Sequence, residues 1–286
     1  MRCAIGLGVL PLVLYGCAAT ALWVARRELG DVVLYNRTRG LAEGTALDLK
    51  ESSPVDGFDL VIAGTDRFDE TADSDVVVLT AGIPRRPGMS RNDLLTMNAA
   101  LVSDLCAQIG KTSPHAVVIV VTNPVDAMVH VAAVAGSFPR QRVMGMAGIL
   151  DSARFRTFIA LELSVSVEDT NALVLGGHGD FMVPLPRHAS VGGIPLGDLL
   201  PEDRITTLIE RTRKGGAEIL DLEKVSSAYY APAAAAGQWS KRSSRTRSGC
   251  FPASRSSRAN TVSTISSWES RPYWAPTAWS ASSNSG

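Results

Sequence analysis

Short apolar runs alternate with longer amphipathic runs along most of the chain. The runs at 76–80 and 117–122 are rich in valine and apolar on both faces, as strands inside a parallel sheet are. Helical periodicity predicts helices near 18–29, 92–110 and 125–135. Further short runs predict strands at 32–35, 60–63, 143–146 and 173–175. This alternation predicts an α/β fold with a doubly wound parallel sheet, in which ligands bind beyond the carboxyl ends of the strands.

The first 24 residues fit more than one interpretation. Arg2 precedes an apolar stretch from residue 3 to residue 24, as in a secretory signal, and Leu14-Tyr15-Gly16-Cys17 loosely resembles a lipoprotein cleavage site. A single membrane-spanning helix would also fit the length of the stretch. We favour a buried first strand followed by a helix, because the polar residues 26–28 continue the helical pattern.

Charge divides the chain into two unlike segments. The whole sequence balances 28 basic against 28 acidic residues, which argues against a strongly basic nucleic-acid binder. Residues 1–236 hold 21 basic and 27 acidic residues, whereas 237–286 hold seven basic residues and one acidic residue. The neutral total is therefore the sum of an acidic body and a basic tail.

The tail has an unusual composition, with 15 serines and neither leucine nor methionine in its last 50 residues. Such a segment has too little aliphatic surface to fold alone, so we expect 237–286 to be unstructured. A nucleic-acid-binding arm and a disordered extension are two interpretations. We favour a third, an out-of-frame translation, because the residue usage changes abruptly after a well-patterned run.

Cysteine spacing gives no sign of a metal site. The four cysteines show no CxxC pair and no regular framework. Their pattern indicates neither a metal centre nor disulfides, which is typical of a protein from a reducing cytosol.

A glycine-rich turn carries the strongest candidate for acid–base chemistry. Gly176-Gly177-His178-Gly179-Asp180 follows an apolar run, and its glycines allow a tight turn and a close ligand approach to the imidazole. An ordinary loop histidine is the alternative. Asp151 and Arg154, three residues apart, share one face of a predicted helix. They could form a surface ion pair, or the carboxylate could orient His178 while the guanidinium binds a substrate carboxylate.

The loop at 84–91 is strongly cationic. It contains Arg85, Arg86 and Arg91 together with helix-breaking proline and glycine. It could be a solvated loop, or a lid that closes over an anion and expels water.

A partial nucleotide-binding pattern precedes these features. Gly6-Leu7-Gly8 matches the first two glycines of G-x-G-x-x-G, but the third position is Pro11. Asn36-Arg37-Thr38-Arg39 follows the strand at 32–35. An acidic residue there would bind the ribose of NAD, whereas arginines suit the extra phosphate of NADP. These residues therefore do not distinguish NAD from NADP as the cofactor.

Together these runs resemble the lactate/malate dehydrogenase family, in particular its malate dehydrogenases of the lactate-dehydrogenase-like type. The resemblance rests on the motifs already named and on further runs over 17–236: Thr80-Ala81-Gly82-Ile83, Val121-Thr122-Asn123-Pro124-Val125-Asp126, the stretch 148–159, and Ser227-Ala228-Tyr229-Tyr230-Ala231-Pro232. It implies reversible hydride transfer between malate and NAD, with a small dicarboxylate as substrate.

The resemblance also implies roles for individual residues. His178 would accept the hydroxyl proton and Asp151 would be its partner. Arg154 would bind the carboxylate beside the reacting carbon, Arg91 would polarise the carbonyl, and Arg85 would select a second carboxylate. Asn123 would touch both the substrate and the cofactor. The full list of implied cofactor-binding positions is Gly6, Gly8, Asn36, Asn98, Val121 and Asn123. The Asn123–Pro124 bond resembles one that is cis in the family.

The implied organisation has three parts. Residues 1–147 would form a Rossmann-type dinucleotide-binding domain, with 1–16 departing from the family pattern. Residues 148–236 would form a truncated α+β substrate domain, and 237–286 would lie outside the fold. The resemblance further implies a cytoplasmic homodimer or homotetramer of the tricarboxylic acid cycle, with no metal, nucleic acid or membrane as partner.

Three expectations qualify this assignment. Without the remainder of the substrate domain, we expect the chain to be poorly stable or inactive. An inactive, frameshifted product is therefore one alternative. Another 2-hydroxyacid dehydrogenase of the lactate type is the second, which Arg85 argues against. Asn36, Arg37 and Arg39 leave NADP open as the cofactor.

Overall fold

Six parallel strands form the central sheet of the protein. The computed structural model describes residues 1–6, 11–38, 40–83, 90–179, 181–224, 228–244, 251–252 and 265–266. The strands are β1 (Arg2–Gly6), β2 (Asp31–Tyr35), β3 (Ile62–Thr65), β4 (Val76–Leu79), β5 (Val117–Val120) and β6 (Val143–Gly145). Their order is β3-β2-β1-β4-β5-β6, so the predicted doubly wound parallel sheet is confirmed. The order reverses between β1 and β4, which is where such sheets bind ligands.

Helices cover both faces of this sheet. They are α1 (Pro11–Ala25), α2 (Leu41–Asp56), α3 (Arg91–Thr112), α4 (Val125–Ala135), α5 (Gly148–Leu163) and α8 (Tyr230–Ser244). Two further helices, α6 (Leu196–Leu199) and α7 (Glu202–Glu223), lie in the second half of the chain, away from this sheet. β1 shows how the two faces divide, because Cys3 and Ile5 join one core cluster and Ala4 joins the other. All four residues of β4 and of β5 are buried, as their valine-rich sequences predict.

The first strand and helix form as favoured from sequence. β1 lies at the centre of the sheet, with Ile5 opposite Leu34 on one side and Val78 on the other. The helix limits were predicted wrongly, because α1 begins at Pro11 and ends at Ala25 instead of spanning 18–29. Glu28 has a φ of 46°, which lies in the left-handed region and ends the helical pattern.

The second half of the chain builds a smaller α+β unit. Its short strands are β7 (Thr170–Asn171), β8 (Val174–Gly176), β9 (Met182–Pro184), β10 (Ser190–Val191) and β11 (Ile194–Pro195). They pack with α5, α6 and α7 around a third core cluster that includes Phe155, Ile159 and Leu208. The pairing of β8 with β9 is antiparallel and presents the glycine-histidine turn between them.

The expectation that everything after residue 236 is unstructured is wrong for 237–244. α8 continues to Ser244 and packs on α1. Ala235 and Ala236 are buried, Ser240 is fully buried, and a Cβ added to Gly237 would lie 2.9 Å from Trp23 Cβ. Composition was misleading here, because a close helix crossing needs small residues instead of leucine. Beyond α8, β12 (Phe251–Pro252) pairs with β13 (Ile265–Ser266), and the other tail residues lie outside the described part of the chain.

Candidate active site

His178 and Asp151 face each other across the smaller unit. His178 lies in the turn between β8 and β9, and Asp151 lies in the first turn of α5. Nδ1 of the imidazole is 2.9 Å from Oδ2 of the carboxylate, with only 2% of Asp151 exposed. If Nδ1 donates to this carboxylate, Nε2 of the neutral ring keeps its lone pair and can accept a proton.

Arg154 joins the same group one helical turn further along α5. Its Nη1 is 3.4 Å from Oδ1 of Asp151, and 13% of its side chain is exposed. Burial lowers the pKa of the Arg154 guanidinium, and the Asp151 carboxylate opposes that shift. The predicted pairing of Asp151 with Arg154 thus occurs in a nearly dry environment instead of on the surface.

Two adjacent glycines on α7 make room for Arg154, and sequence reasoning missed them. A Cβ added to Gly215 would lie 3.1 Å from Cδ of Arg154, and one added to Gly216 would lie 3.4 Å from its Nη2. Helices rarely carry glycine without a reason, since it costs about 1 kcal/mol relative to alanine. Paired glycines inside an amphipathic run were the available signal.

The glycine-histidine turn is tight because of its backbone. Gly176 and Gly179 have φ values of 88° and 118°, which only glycine adopts readily. A Cβ on Gly176 would lie 2.1 Å from the carbonyl oxygen of Phe181. The main-chain N–H of His178 donates to Oδ2 of Asp126 over 2.9 Å. Asp126 is a third residue, after the two glycines on α7, that sequence reasoning had not singled out for the site.

The segment after β5 approaches the same end of the sheet. Asn123–Pro124 is cis, as the resemblance implied, and Asn123 is exposed. Asn98 on α3 is 1% exposed; its Oδ1 accepts from Ile83 N over 2.7 Å, and its Nδ2 donates to the Asn123 carbonyl over 2.7 Å. Val121 donates its N–H to Leu79 O at the end of β4.

The cationic loop is only partly described. Arg85 lies outside the described residues, and Arg91 begins α3 without a described side chain. Ser90 caps α3 reciprocally, since its Oγ accepts from Asp93 N and Oδ2 of Asp93 accepts from Ser90 N. The Ser90 hydroxyl, which donates to Oδ2 of Asp93 over 2.7 Å, and then the Ser90 N–H lower the pKa of Asp93. The cap fixes where the loop ends and α3 begins.

The predicted nucleotide-binding residues lie at the ends of β1 and β2. Gly6 ends β1 between Tyr35 and Leu79, whereas Gly8 and Arg39 lie outside the described residues. Arg37 is exposed. Asn36 is 1% exposed, and its Oδ1 accepts from Thr38 N over 2.8 Å. Its Nδ2 is buried and makes no hydrogen bond to the described part of the chain.

The described residues contain no group of histidine, cysteine, aspartate or glutamate side chains arranged to hold a metal ion. Within the same ranges, no helix has the length and apolar character needed to cross a bilayer. Cys3, Cys17 and Cys106 are buried thiols, and Cys250 lies outside the described residues.

The sequence matches two domain profiles of one known protein family. The profile of the lactate/malate dehydrogenase NAD binding domain matches residues 16–145, and that of the lactate/malate dehydrogenase alpha/beta C-terminal domain matches residues 149–264. The chain belongs to the lactate/malate dehydrogenase family. The residues matched by the NAD binding domain include five of the six parallel strands, β2 to β6.

Individual members of this family are also similar. Malate dehydrogenase of Desulforudis audaxviator is 55% identical over 221 residues, covering 77% of this chain and 72% of the relative. That of Rhodopirellula baltica is 56% identical over 223 residues, covering 77% and 71%. The apo structure of Picrophilus torridus malate dehydrogenase superposes with a TM-score of 0.84 at 41% identity, covering 88% of this chain and 78% of that one.

The limits of the family match correct the sequence analysis at one end. The resemblance was expected to stop at residue 236, whereas the match to the C-terminal domain extends to 264. The match to the N-terminal domain begins at residue 16, after the partial glycine pattern of Gly6 and Gly8. The match therefore covers strands β2 to β6 and the part of α1 from residue 16 onward, but neither β1 nor the other residues before 16.

Proposed function

We propose that this protein is an NAD-dependent malate dehydrogenase, which interconverts (S)-malate and oxaloacetate. The observation that carries the proposal is the buried contact of His178 with Asp151, with Arg154 beside it. The named relatives, which are 55% and 56% identical over 77% of this chain, are malate dehydrogenases, which supports the same activity.

The chain's own residues handle the proton and the substrate. Asp151 orients the imidazole so that Nε2 of His178 receives the proton of the C2 hydroxyl, and the carboxylate stabilises the imidazolium that forms. Arg154 grips the carboxylate next to C2 with its planar fork of donors. Val121 and Asn123 would hold a nicotinamide beside C2, and this group would supply the acceptor for the hydride. In the reverse direction, His178 returns the proton to the carbonyl oxygen.

Arg85 and Arg91 complete the substrate site in this proposal. Resemblance to the family supports Arg91 as the residue that polarises the C2 carbonyl and Arg85 as the residue that binds the second carboxylate. A cation at position 85 favours dicarboxylates over lactate and pyruvate. Both lie within the segment 84–91, whose three arginines suit an anionic substrate.

A buried polar atom of Asn36 shows whether the residues at the end of β2 suit a dinucleotide. The buried Nδ2 of Asn36 needs an acceptor, and a ribose hydroxyl oxygen at the end of β2 would supply one. The residues present thus fit a dinucleotide. We assign NAD as the cofactor, with NADP as the outcome to compare because Arg37 and Arg39 lie next to Asn36.

Other cofactor contacts in the proposal differ in kind. Gly6 and Gly8 would leave room for the pyrophosphate, and Val121 and Asn123 would flank the nicotinamide. Asn98 acts through Asn123, because its own amide already bonds the main chain at Ile83 and Asn123. The division into a cofactor unit ending near 147 and a substrate unit beginning near 148 is part of the same proposal.

Assembly and location extend the proposal beyond the site. We assign a cytoplasmic homodimer or homotetramer acting in the tricarboxylic acid cycle. Light scattering on the purified chain gives the assembly state directly, and a monomer would contradict this part alone.

An activity assay tests the central claim. The purified full chain is mixed with malate and NAD, and formation of NADH is followed by absorbance. We expect turnover with malate to exceed that with lactate. His178→Asn should abolish turnover, and His188→Asn, which alters a histidine outside the site, should keep it. Absence of turnover in a folded wild-type chain would overturn the proposal.

A further inference from the structure

Asp126 makes an unusual contact for an acidic residue at the start of a helix. It lies in the first turn of α4, where a carboxylate ordinarily stabilises the helix N-terminus. The residue at the cap position is Pro124, and no side chain caps this helix by a hydrogen bond. Oδ2 of Asp126 instead accepts from the main-chain N–H of His178, which is 52 residues away along the chain.

The turn around His178 is built to bring its backbone close to this carboxylate. A Cβ on Gly177 would lie 3.0 Å from Oδ2 of Asp126, so glycine permits the approach. The neighbouring N–H groups are used within the turn itself, since Gly177 N donates to Phe181 O and Met182 N donates to Gly179 O. The N–H of His178 instead reaches out of the turn to α4.

His178 is therefore held at two points. Asp126 holds its main chain and Asp151 holds its ring, each over 2.9 Å. Fixing both ends of a side chain limits its rotation about Cα–Cβ, which is how a catalytic group is kept in a productive geometry. A charged acceptor also gives a stronger hydrogen bond to a backbone N–H than a neutral one.

Asp126 also links the turn to the other half of the site. Asn123 lies three residues before it, on the segment that begins with the cis Asn123–Pro124 bond. That segment is held in turn by Asn98. One short stretch of chain thus bears both the residue proposed for the nicotinamide side and the anchor of the histidine.

We propose that Asp126 is a positioning residue, whose carboxylate sets the orientation of His178 relative to Asn123 and so to the reacting carbon. The proposal rests on the malate dehydrogenase function, because orientation of His178 has kinetic meaning only if His178 accepts the proton. Asp126 touches neither substrate nor cofactor in this role.

Three variants test the role. Asp126→Leu removes the acceptor, Asp126→Asn keeps an acceptor oxygen, and Asp104→Leu makes the same change at an exposed aspartate on α3. We expect Asp126→Leu to lower kcat by about tenfold or more, because misplacement of a catalytic group costs rate. KM for NAD should stay within about twofold, since cofactor contacts are unchanged. Asp126→Asn should restore most of kcat, and Asp104→Leu should match the wild type.

A spectroscopic measurement separates this inference from the function on which it rests. In protein labelled with ¹⁵N-histidine, hydrogen exchange of the His178 backbone amide should be slow in the wild type and in Asp126→Asn, and fast in Asp126→Leu. If the wild type lacks malate turnover but shows this protection, the function fails and the tether stands. Unprotected His178 in the wild type, or unchanged kcat and protection in Asp126→Leu, would overturn the tether.

A variant at Gly177 tests the same hydrogen bond in case Asp126→Leu does not fold. Gly177→Ala adds a Cβ 3.0 Å from Oδ2 of Asp126 and should lengthen the same hydrogen bond. We expect faster exchange of the His178 amide and a lower kcat with little change in KM for NAD. If Gly177→Ala lowers both kcat and the melting temperature but does not speed amide exchange at His178, the role of the turn is merely structural and the proposal is overturned.

Discussion

Asp151 and His178, which are 27 residues apart in the chain, meet with 2.9 Å between Oδ2 and Nδ1. Asp151 is almost fully buried, so little water reaches its carboxylate. The carboxylate contacts the guanidinium of Arg154 as well as the imidazole of His178. In the proposed reaction this carboxylate orients the imidazole and does not itself bind the substrate, so its role can be tested separately from substrate binding.

Asp151→Asn should therefore lower kcat strongly. The amide cannot stabilise an imidazolium, and it can present an N–H to the ring and select the wrong tautomer. We expect kcat for malate to fall by about 10²- to 10⁴-fold, as in comparable His–Asp pairs. Steady-state kinetics measure the effect, with Asp198→Asn, a change at an exposed aspartate on α6, as the control. A kcat within threefold of the wild type would contradict the assigned pairing.

Gly215→Val should weaken malate binding more than NAD binding. Its Cβ would lie 3.1 Å from Cδ of Arg154, and the additional methyl groups would displace the guanidinium. We expect KM for malate to rise by about tenfold, which corresponds to about 1.4 kcal/mol of lost interaction.

Gly44→Val on α2 is the matched control for this change, because a Cβ there meets nothing within 4 Å. Its kinetic constants should equal those of the wild type. If both variants raise KM for malate equally, the effect does not come from Arg154.

Asn36→Asp should raise the preference for NAD over NADP. Aspartate removes the buried N–H₂ that lacks a partner, keeps the acceptor for Thr38 N, and offers a carboxylate to the ribose hydroxyls. The same charge repels a 2′-phosphate. We expect kcat/KM for NAD relative to NADP to increase by about tenfold. Asn92→Asp, on the exposed side of α3, should leave the ratio unchanged. A shift towards NADP in Asn36→Asp would exclude a ribose contact.

Gly237→Val should destabilise the fold. A Cβ there would lie 2.9 Å from Cβ of Trp23, which α8 meets on α1. Overpacking of this kind costs about 1–3 kcal/mol of unfolding free energy. Urea unfolding measures it, and Ala231→Val on the exposed side of α8 is the control. An unchanged free energy of unfolding would mean that α8 does not pack on α1. The same experiment on the wild type checks the prediction from sequence that the chain is poorly stable.

Alkaline pH should reduce stability through the buried thiols. Burial raises the pKa of Cys3, Cys17 and Cys106 from 9 to about 12. The folded state thus keeps protons that the unfolded state releases, so stability is full below pH 9 and declines as the pH rises towards 12. At pH 10 each thiol should cost about 1 kcal/mol. Urea unfolding at pH 8 and pH 10 measures this loss of unfolding free energy. Replacing the three cysteines by alanine should reduce the difference in unfolding free energy between the two pH values.

The sequence could predict the sheet and the chemical types at its edge. Valine-rich runs such as 76–80 and 117–122 are apolar on both faces, and only burial inside a parallel sheet accommodates such a pattern. Glycines around His178 and the spacing of Asp151 and Arg154 are local features, so they too could be recognised without coordinates.

Contacts between distant segments could not be found in this way. The tether from Asp126 to His178, the room that Gly215 leaves for Arg154, and the crossing of Gly237 with Trp23 each join segments far apart in the chain. The composition of 237–244 even pointed away from a helix packed on α1. Periodicity and composition indicate whether a residue will be buried, charged or hydrogen-bonded. Which other residue it contacts depends on how the whole chain packs. The sequence by itself thus determined the layered α/β fold and the kind of chemistry, and only the tertiary structure decided which side chains hold His178 and Arg154 in place.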